Sequence, residues 1–360
     1  MMNNLSILET STACFTRDYV NITEAMPTLL ESNFPLAVFY ILMTSVAFVI
    51  GTFGNIMILI IAGLTKRLNR AGREFMINLA LADLCVSGFI DPMCIVGVIK
   101  GHQFFNSAPI LCHLVATLCL TACFCAYISL SLLAFNRYIH ICHHNIYHRI
   151  FGRKTCIVLC TMGWIVSILC DIPNYSGWNA HLFDGKNHQC IWQRLSPQSY
   201  MLFIAGFFSI PSTLVVLSFV QIFRKIWKTK KLLHSISTDK SERTRRVMKE
   251  SVRSAKNIFA MFLVYVICWM PNAIVIAVDV KDQFPMEVHL MVTLLAHLHS
   301  SCNFTVYVIL NKRFRETFLH IWRCHDDKRS TNSAYSSYRS IHSHNITSRL
   351  YIGFTHVSSH

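Results

Sequence analysis

The chain has 360 residues, of which 53% are hydrophobic and only 14% charged, and it carries a formal net charge of +15. Soluble globular proteins hold about 25% charged residues, so this composition and a mean hydropathy of +0.42 exclude an ordinary soluble enzyme or binding domain. Nucleic acid is also excluded as a partner. All but five of the 33 Lys and Arg (Arg17, Lys100, Lys186, Arg194 and Lys281) fall in alternate loops, at the neighbouring helix ends or in the C-terminal tail, as cytoplasmic segments of a membrane protein do.

Residues 1–35 form a polar N-terminal tail without the basic and apolar regions of a signal peptide. Asn4 and Asn21 open glycosylation sequons, which are usable if this end is outside the cell. Runs that are apolar all round, the mark of membrane spans, follow at residues 36–64, 75–99, 110–141, 156–172, 200–226, 258–280 and 288–310. Pro92, Pro211 and Pro271 lie inside spans and predict kinks. Basic clusters stand after the first span (Lys66, Arg67, Arg70, Arg73), before the fourth (Arg149, Arg153, Lys154) and after the fifth (Arg224 to Lys231). They put those loops and the C-terminus in the cytoplasm and the N-terminus outside. The bundle therefore occupies residues 36–310. Residues 311–323 place Phe314, Phe318, Leu319 and Trp322 at helical spacing between cations, which predicts an amphipathic helix on the membrane surface. Cys324 just beyond is a candidate for palmitoylation or a free thiol. Residues 324–360 read as a disordered cytoplasmic tail.

Polar groups within spans are functional candidates by default. Asn55, Asp83, Asn303 and Tyr307 are such groups. Asp83 needs a cation, a proton or amide donors, so either a hydrogen-bonded cluster with Asn55 and Asn303 or a sodium site is expected. Arg137, at the end of the third span, must reach water or meet a partner from another molecule. Trp269 stands beside Pro271 at the kink of the sixth span. Cys112 and Cys190 both face the oxidising outside, where a disulfide is expected. The cysteines inside spans read as small packing residues. His143, His144, His148, His297 and His299 form no HExxH pattern, so no metal site is expected.

Jointly these residues resemble class A (rhodopsin-like) G-protein-coupled receptors. The resemblance runs from about residue 36 to 322. It is carried by Gly54-Asn55, Leu79-Ala80-Leu81-Ala82-Asp83, Cys112, Asn136-Arg137-Tyr138, Trp164, Pro211, Cys268-Trp269-Met270-Pro271, Asn303 with Tyr307, and Phe314. Within the class, the chain looks most like melatonin-type receptors and the arthropod receptors moody and trapped-in-endoderm. Asn136-Arg137-Tyr138, Asn69-Arg70-Ala71-Gly72 and a seventh span without its usual proline are the shared features. Several positions depart from the class. Asn136 replaces an acid, Phe304 replaces a proline, Phe219 a tyrosine and Ala126 a serine, so Asp83 keeps fewer oxygen partners.

The resemblance implies an all-α membrane protein, a seven-helix bundle with an amphipathic eighth helix. It implies a plasma-membrane receptor, not an enzyme, that takes an extracellular ligand and activates a heterotrimeric G protein by outward movement of the sixth helix. Asn136, Arg137, Tyr138, Trp269, Pro271, Asn303 and Tyr307 would carry the switch, and arrestin and receptor kinases would act on the Ser-rich tail. Asp91, Cys119, Asp171, Asn174, Trp192, Gln193, Trp269 and Asp279 are the candidates for the ligand cavity. Asn174 stands where melatonin receptors contact ligand, which suggests a small neutral or indole-like molecule. Cys119, where amine receptors have an aspartate, argues against a cationic amine, because no carboxylate would pair its ammonium. A membrane transporter or channel is the alternative, but neither the repeated halves nor the paired broken helices of transporters are visible.

Overall fold

The computed structural model describes residues 27–64, 72–234 and 239–324, with most of the stretch between Thr229 and Val252 and the end of the last helix described as backbone. The sequons at Asn4 and Asn21, the Asn69-Arg70-Ala71 loop and the tail after Cys324 lie outside the described residues. So do the side chains of Trp322 and Cys324.

Six described helices are long and apolar enough to cross a membrane: Phe34–Leu64, Arg73–Ser107, Pro109–Cys142, Arg153–Asn174, Gln198–Thr229 and Val252–Val278. The seventh span is a pair of shorter helices, Met286–His297 and His299–Leu310. The sequence predicts one unbroken segment there, and no proline explains the break. Side chains do. His299 Nδ1 reaches the Ala296 carbonyl at 2.6 Å, Ser300 Oγ donates to His297 O at 3.0 Å and Ser301 Oγ donates to Leu298 O at 2.9 Å. Such bonds offer the backbone an alternative to its own helical ladder.

The second span departs from α geometry just before Pro92. Val86–Ile90 form one π-helical turn, in which the Asp91 amide bonds the Val86 carbonyl. A proline leaves a carbonyl of the preceding turn unpaired, and the wider turn absorbs the defect. It also turns Asp91 into the bundle, where it is fully buried. The outer end of this span breaks at Gly101, whose φ of +63° suits glycine alone. Against it rests Thr28, the N-cap of a short helix, Leu29–Ser32. Thr28 and Glu31 form a capping box, and Leu29 is fully buried. The last residues of the expected tail are thus folded onto the bundle.

Lipid tails are as apolar as leucine, so contact between spans depends on close packing rather than on exclusion from water. Small residues make that contact possible. A Cβ on Gly51 would stand 2.6 Å from Ser87 Cβ, and one on Gly54 would overlap the Phe304 ring. The third span is the hub: 78% of its most apolar stretch is buried, against 22% for the fifth and for the sixth. The final helix, Lys312–Cys324, turns Phe314 inward to full burial, stacked on Tyr307 at 5.4 Å between ring centres. Leu319 stays 41% exposed on the face left for lipid.

Candidate functional site

Two regions hold the candidate residues, one at the end of the bundle expected to be cytoplasmic and in its middle, the other in the half expected to face outside. Arg137 closes the third span and is buried, with its Nε unpartnered among the described residues. Asn136 is not bonded to it: its Nδ2 donates to the Tyr147 hydroxyl at 3.3 Å, and its Oδ1 has no hydrogen-bond partner. Tyr138 pairs with His143 Nε2 at 3.0 Å.

In the middle of the bundle, Asn303 Nδ2 donates to Asp83 Oδ2 at 2.5 Å. Asn55 does not join that bond as the sequence suggests. Its amide instead donates to the carbonyls of Gly51 and Ser300, at 2.9 Å each, because the broken seventh span offers it a backbone acceptor. The other Asp83 oxygen, Oδ1, faces His299 Nε2 at 3.7 Å, and neither atom has a hydrogen-bond partner. Above them Trp269 packs between Phe208, Tyr265 and His299, with ring centres 5.7 to 6.3 Å apart.

The outer half is organised by the loop between the fourth and fifth spans, which carries Cys190. His181–Asp184 and Gln189–Trp192 form an antiparallel hairpin, β1 and β2, with Phe183 opposite Cys190. Cys190 is disulfide-bonded to Cys112 at the top of the third span. Asp184 Oδ1 accepts from the amides of Lys186 and Asn187, at 2.9 Å each, and closes the turn. Thr293 of the seventh span donates to Asn187 Oδ1 at 2.7 Å.

From this hairpin an ion-pair cluster crosses to the loop between the sixth and seventh spans. Lys186 Nζ and Arg194 Nη1 each lie 2.7 Å from Asp282 Oδ1, and Arg194 Nε lies 3.2 Å from Asp184 Oδ2. His289 Nε2 stands 2.8 Å from Asp279 Oδ2, and the amides of Gln283 and Phe284 donate to Asp279 Oδ1. Burial opposes ionisation of Asp279, but the bonds from His289 and those two amides outweigh it and hold its carboxyl below the usual carboxylate range. Asp282 is held down in the same way: burial is outweighed by Arg194 and Lys186. Burial pushes the His188 imidazole down, against the pull of Asp184. Asp279 therefore belongs to a latch between loops rather than to a cavity wall. The group Asp279, Asp282 and His289 has metal-ligand spacing, but Lys186 and Arg194 already neutralise Asp282.

Asp171 and Asn174 are likewise committed to protein partners. Asp171 Oδ1 accepts from Asn174 Nδ2 at 2.8 Å and lies 2.9 Å from His181 Nε2. Asn174 Oδ1 accepts from Asn179 at 2.9 Å. A carboxylate this far from water must be hydrogen-bonded, and the chain supplies the bonds itself. Trp192 is half-buried against Tyr200, with ring centres 5.8 Å apart, and Gln193 is also half-buried.

Asp91 and Cys119 do come together, through a histidine of the seventh span. His297 lies with Nδ1 3.0 Å from Asp91 Oδ1 and Nε2 3.9 Å from Cys119 Sγ. A carboxylate thus does stand near Cys119, one imidazole away, contributed by the second span. The signal was present in the sequence as an acid and a histidine inside apolar spans, but their 206-residue separation hid the pairing. A lipid-facing groove of about 420 Å³ between the second and fourth spans, lined by Asn78, Leu81, Ile157 and Trp164 among others, contains none of the candidate ligand residues.

The model of the 7 transmembrane receptor (rhodopsin family) matches residues 54–307. The chain belongs to this family of G-protein-coupled receptors, which are receptors rather than enzymes. Among curated relatives, melatonin receptor type 1B of Rattus norvegicus is 29% identical over 293 residues, covering 79% of this chain and 77% of that one. Melatonin receptor type 1B of Homo sapiens is 27% identical over 276 residues, covering 74% of each. Among solved structures, squid rhodopsin superposes with a TM-score of 0.70 at 17% identity, over 84% of this chain and 92% of that one. That likeness concerns the fold.

Proposed function

We propose that the chain is a plasma-membrane receptor, N-terminus outside, that binds an extracellular ligand and passes the signal to a heterotrimeric G protein. The observation that carries the reading is Arg137: buried at the cytoplasmic end, with Nε unpartnered among the described residues and Asn136 bonded elsewhere. A buried guanidinium with donors to spare calls for acceptors from another molecule, such as the tail of a G protein entering when the sixth span swings at Pro271. The ligand acts by preferring one state of the bundle, and a swing from 1:99 to 99:1 takes about 5.5 kcal/mol of preference. A small neutral or indole-like ligand is supported by the melatonin receptors among the relatives. Trp192 and Gln193, both half-buried, are the better contact candidates, since Asn174 is held by Asp171 and Asn179.

A sodium ion or a proton fits between Asp83 and His299. His299 Nδ1 has two competing partners, the Ala296 carbonyl, to which it would donate, and Trp269 Nε1, from which it would accept at 3.3 Å. With the ring proton on Nδ1, Nε2 and Asp83 Oδ1 are two buried acceptors 3.7 Å apart that call for a cation between them; with it on Nε2, the ring supplies that hydrogen itself. Arrestin and receptor kinases are proposed as tail partners, with glycans on Asn4 and Asn21 and a lipid on Cys324.

The test is nucleotide exchange on purified Gα subunits of each class, driven by the receptor in membranes with an indole library. Ligand-stimulated exchange is the expected result. Substrate flux through receptor proteoliposomes, without exchange on any Gα, would overturn the reading.

A further inference from the structure

The outer half of the bundle holds a chain of three side chains that ion pairing alone does not account for. Asp91 comes from the second span, His297 from the seventh and Cys119 from the third. Asp91 Oδ1 lies 3.0 Å from His297 Nδ1, and His297 Nε2 lies 3.9 Å from Cys119 Sγ. All three are buried, Asp91 completely. A carboxylate on one ring nitrogen keeps the proton there, which leaves the lone pair of Nε2 facing the thiol. A base within reach of a nucleophile, itself oriented by a third group, is the arrangement that activates thiols and hydroxyls.

Asp91 Oδ2 is buried without a hydrogen-bond partner, as is Asp171 Oδ2 in the Asp171–His181 pair. What sets the Asp91–His297 pair apart is a thiol at each ring nitrogen: Cys94 Sγ lies 3.9 Å from Nδ1 and Cys119 Sγ 3.9 Å from Nε2. The two thiols are not equivalent. Cys94 donates to Gln189 Oε1 of the hairpin at 2.8 Å. Cys119 is the thiol at the basic nitrogen, and it keeps 9% of its surface exposed. The surroundings are apolar: Tyr40, Val115, Leu290 and Leu294 pack in the same cluster.

We propose that Cys119 is a covalent attachment point for a soft electrophile, an apolar α,β-unsaturated carbonyl compound, with His297 as the base and Asp91 as its positioning residue. Cys119 Sγ bonds the β-carbon as its proton passes to His297 Nε2. The π pair of the carbon–carbon double bond moves onto the conjugated carbonyl as an enolate. The proton on Nε2 then goes to the α-carbon. The addition has no leaving group and needs no oxidant. It names a ligand class for the outer half of the receptor and rests on the receptor reading only for that location.

The test is competitive alkylation of the folded receptor in membranes by limiting N-ethylmaleimide, with peptide mapping by mass spectrometry. Cys119 is expected to react at least about tenfold faster than Cys123 one helical turn away, and His297→Gln to slow Cys119 by about tenfold or more, a modest share of what a positioned base contributes. Asp91→Asn should slow it several-fold and Asp91→Glu restore it, while Cys302 labels equally in every variant. An unmodified Cys119 in wild-type receptor that retains the Cys112–Cys190 disulfide would overturn the proposal, as would an unchanged rate in a folded His297→Gln variant. Should that variant not fold, the wild-type ratio of Cys119 to Cys123 decides alone. Fast labelling of Cys119 without G-protein exchange would overturn the receptor coupling and leave this inference standing; exchange with an inert Cys119 would do the reverse.

Discussion

Asn136→Asp tests how the cytoplasmic end is restrained. Asn136 is fully buried, with its amide bonded to Tyr147 and its carbonyl oxygen unpartnered. A carboxylate there keeps the Tyr147 contact with its direction reversed, since the phenol then donates. It also adds a charge beside Arg137. A hydrogen bond to a charged group contributes about 1.5–3 kcal/mol net, and desolvation of the new carboxylate offsets part of that. A net gain of about 1.4 kcal/mol for the closed state corresponds to about a tenfold shift in population. Ligand-independent exchange, measured as uptake of a non-hydrolysable GTP analogue per receptor copy, should therefore fall about tenfold in Asn136→Asp. An equal or higher basal rate at matched surface expression would refute the idea that Arg137 is under-restrained.

The outer latch predicts a pH dependence. Asp279 and Asp282 are held below the usual carboxylate range, so their contribution is complete above about pH 4 and is lost as pH falls through the depressed values. Thermal unfolding of the solubilised receptor should show that acid loss, and Asp282→Asn should shrink it. Gly54→Ala forces Phe304 to move and should lower stability by about 1–3 kcal/mol, read as a lower melting temperature in detergent. Cys112→Ser should cost about 2–5 kcal/mol and, by freeing the hairpin from the third span, sharply reduce the fraction of receptor that reaches the cell surface.

The spans were legible because each is an apolar run of membrane length, and the basic loops ordered them. What the sequence concealed lies where side chains compete with the helix or meet across the bundle. Leu298 stands between His297 and His299-Ser300-Ser301, residue types that do not by themselves show that three side chains reach back to carbonyls at the break. The π-turn before Pro92 was visible only as a kink, although it is what turns Asp91 inward. Arg194, one of the few cations outside the basic loops, proves to be an ion-pair partner of Asp184 and Asp282. That pairing depends on a hairpin whose strands are four residues each, too short for alternation to stand out. Asp171 and Asn174 show the opposite failure: buried polar residues near the outer mouth invite a ligand role, but Asp171 Oδ1 and the Asn174 amide already bond within the protein, which leaves only Asp171 Oδ2 open.

The small buried fraction of the fifth and sixth spans has a consequence for where the activation threshold is set. In the proposed swing, the inner end of the sixth span gives up part of its packing on the core, where Ile258, Met261, Phe262 and Tyr265 are buried, while its exposed face exchanges one set of acyl-chain contacts for another. Part of the work of that movement is therefore done against the lateral pressure of the lipids. Membrane thickness and chain saturation thus become control variables in their own right, and the same receptor with the same ligand should respond differently in thin, fluid bilayers and in thick, ordered ones.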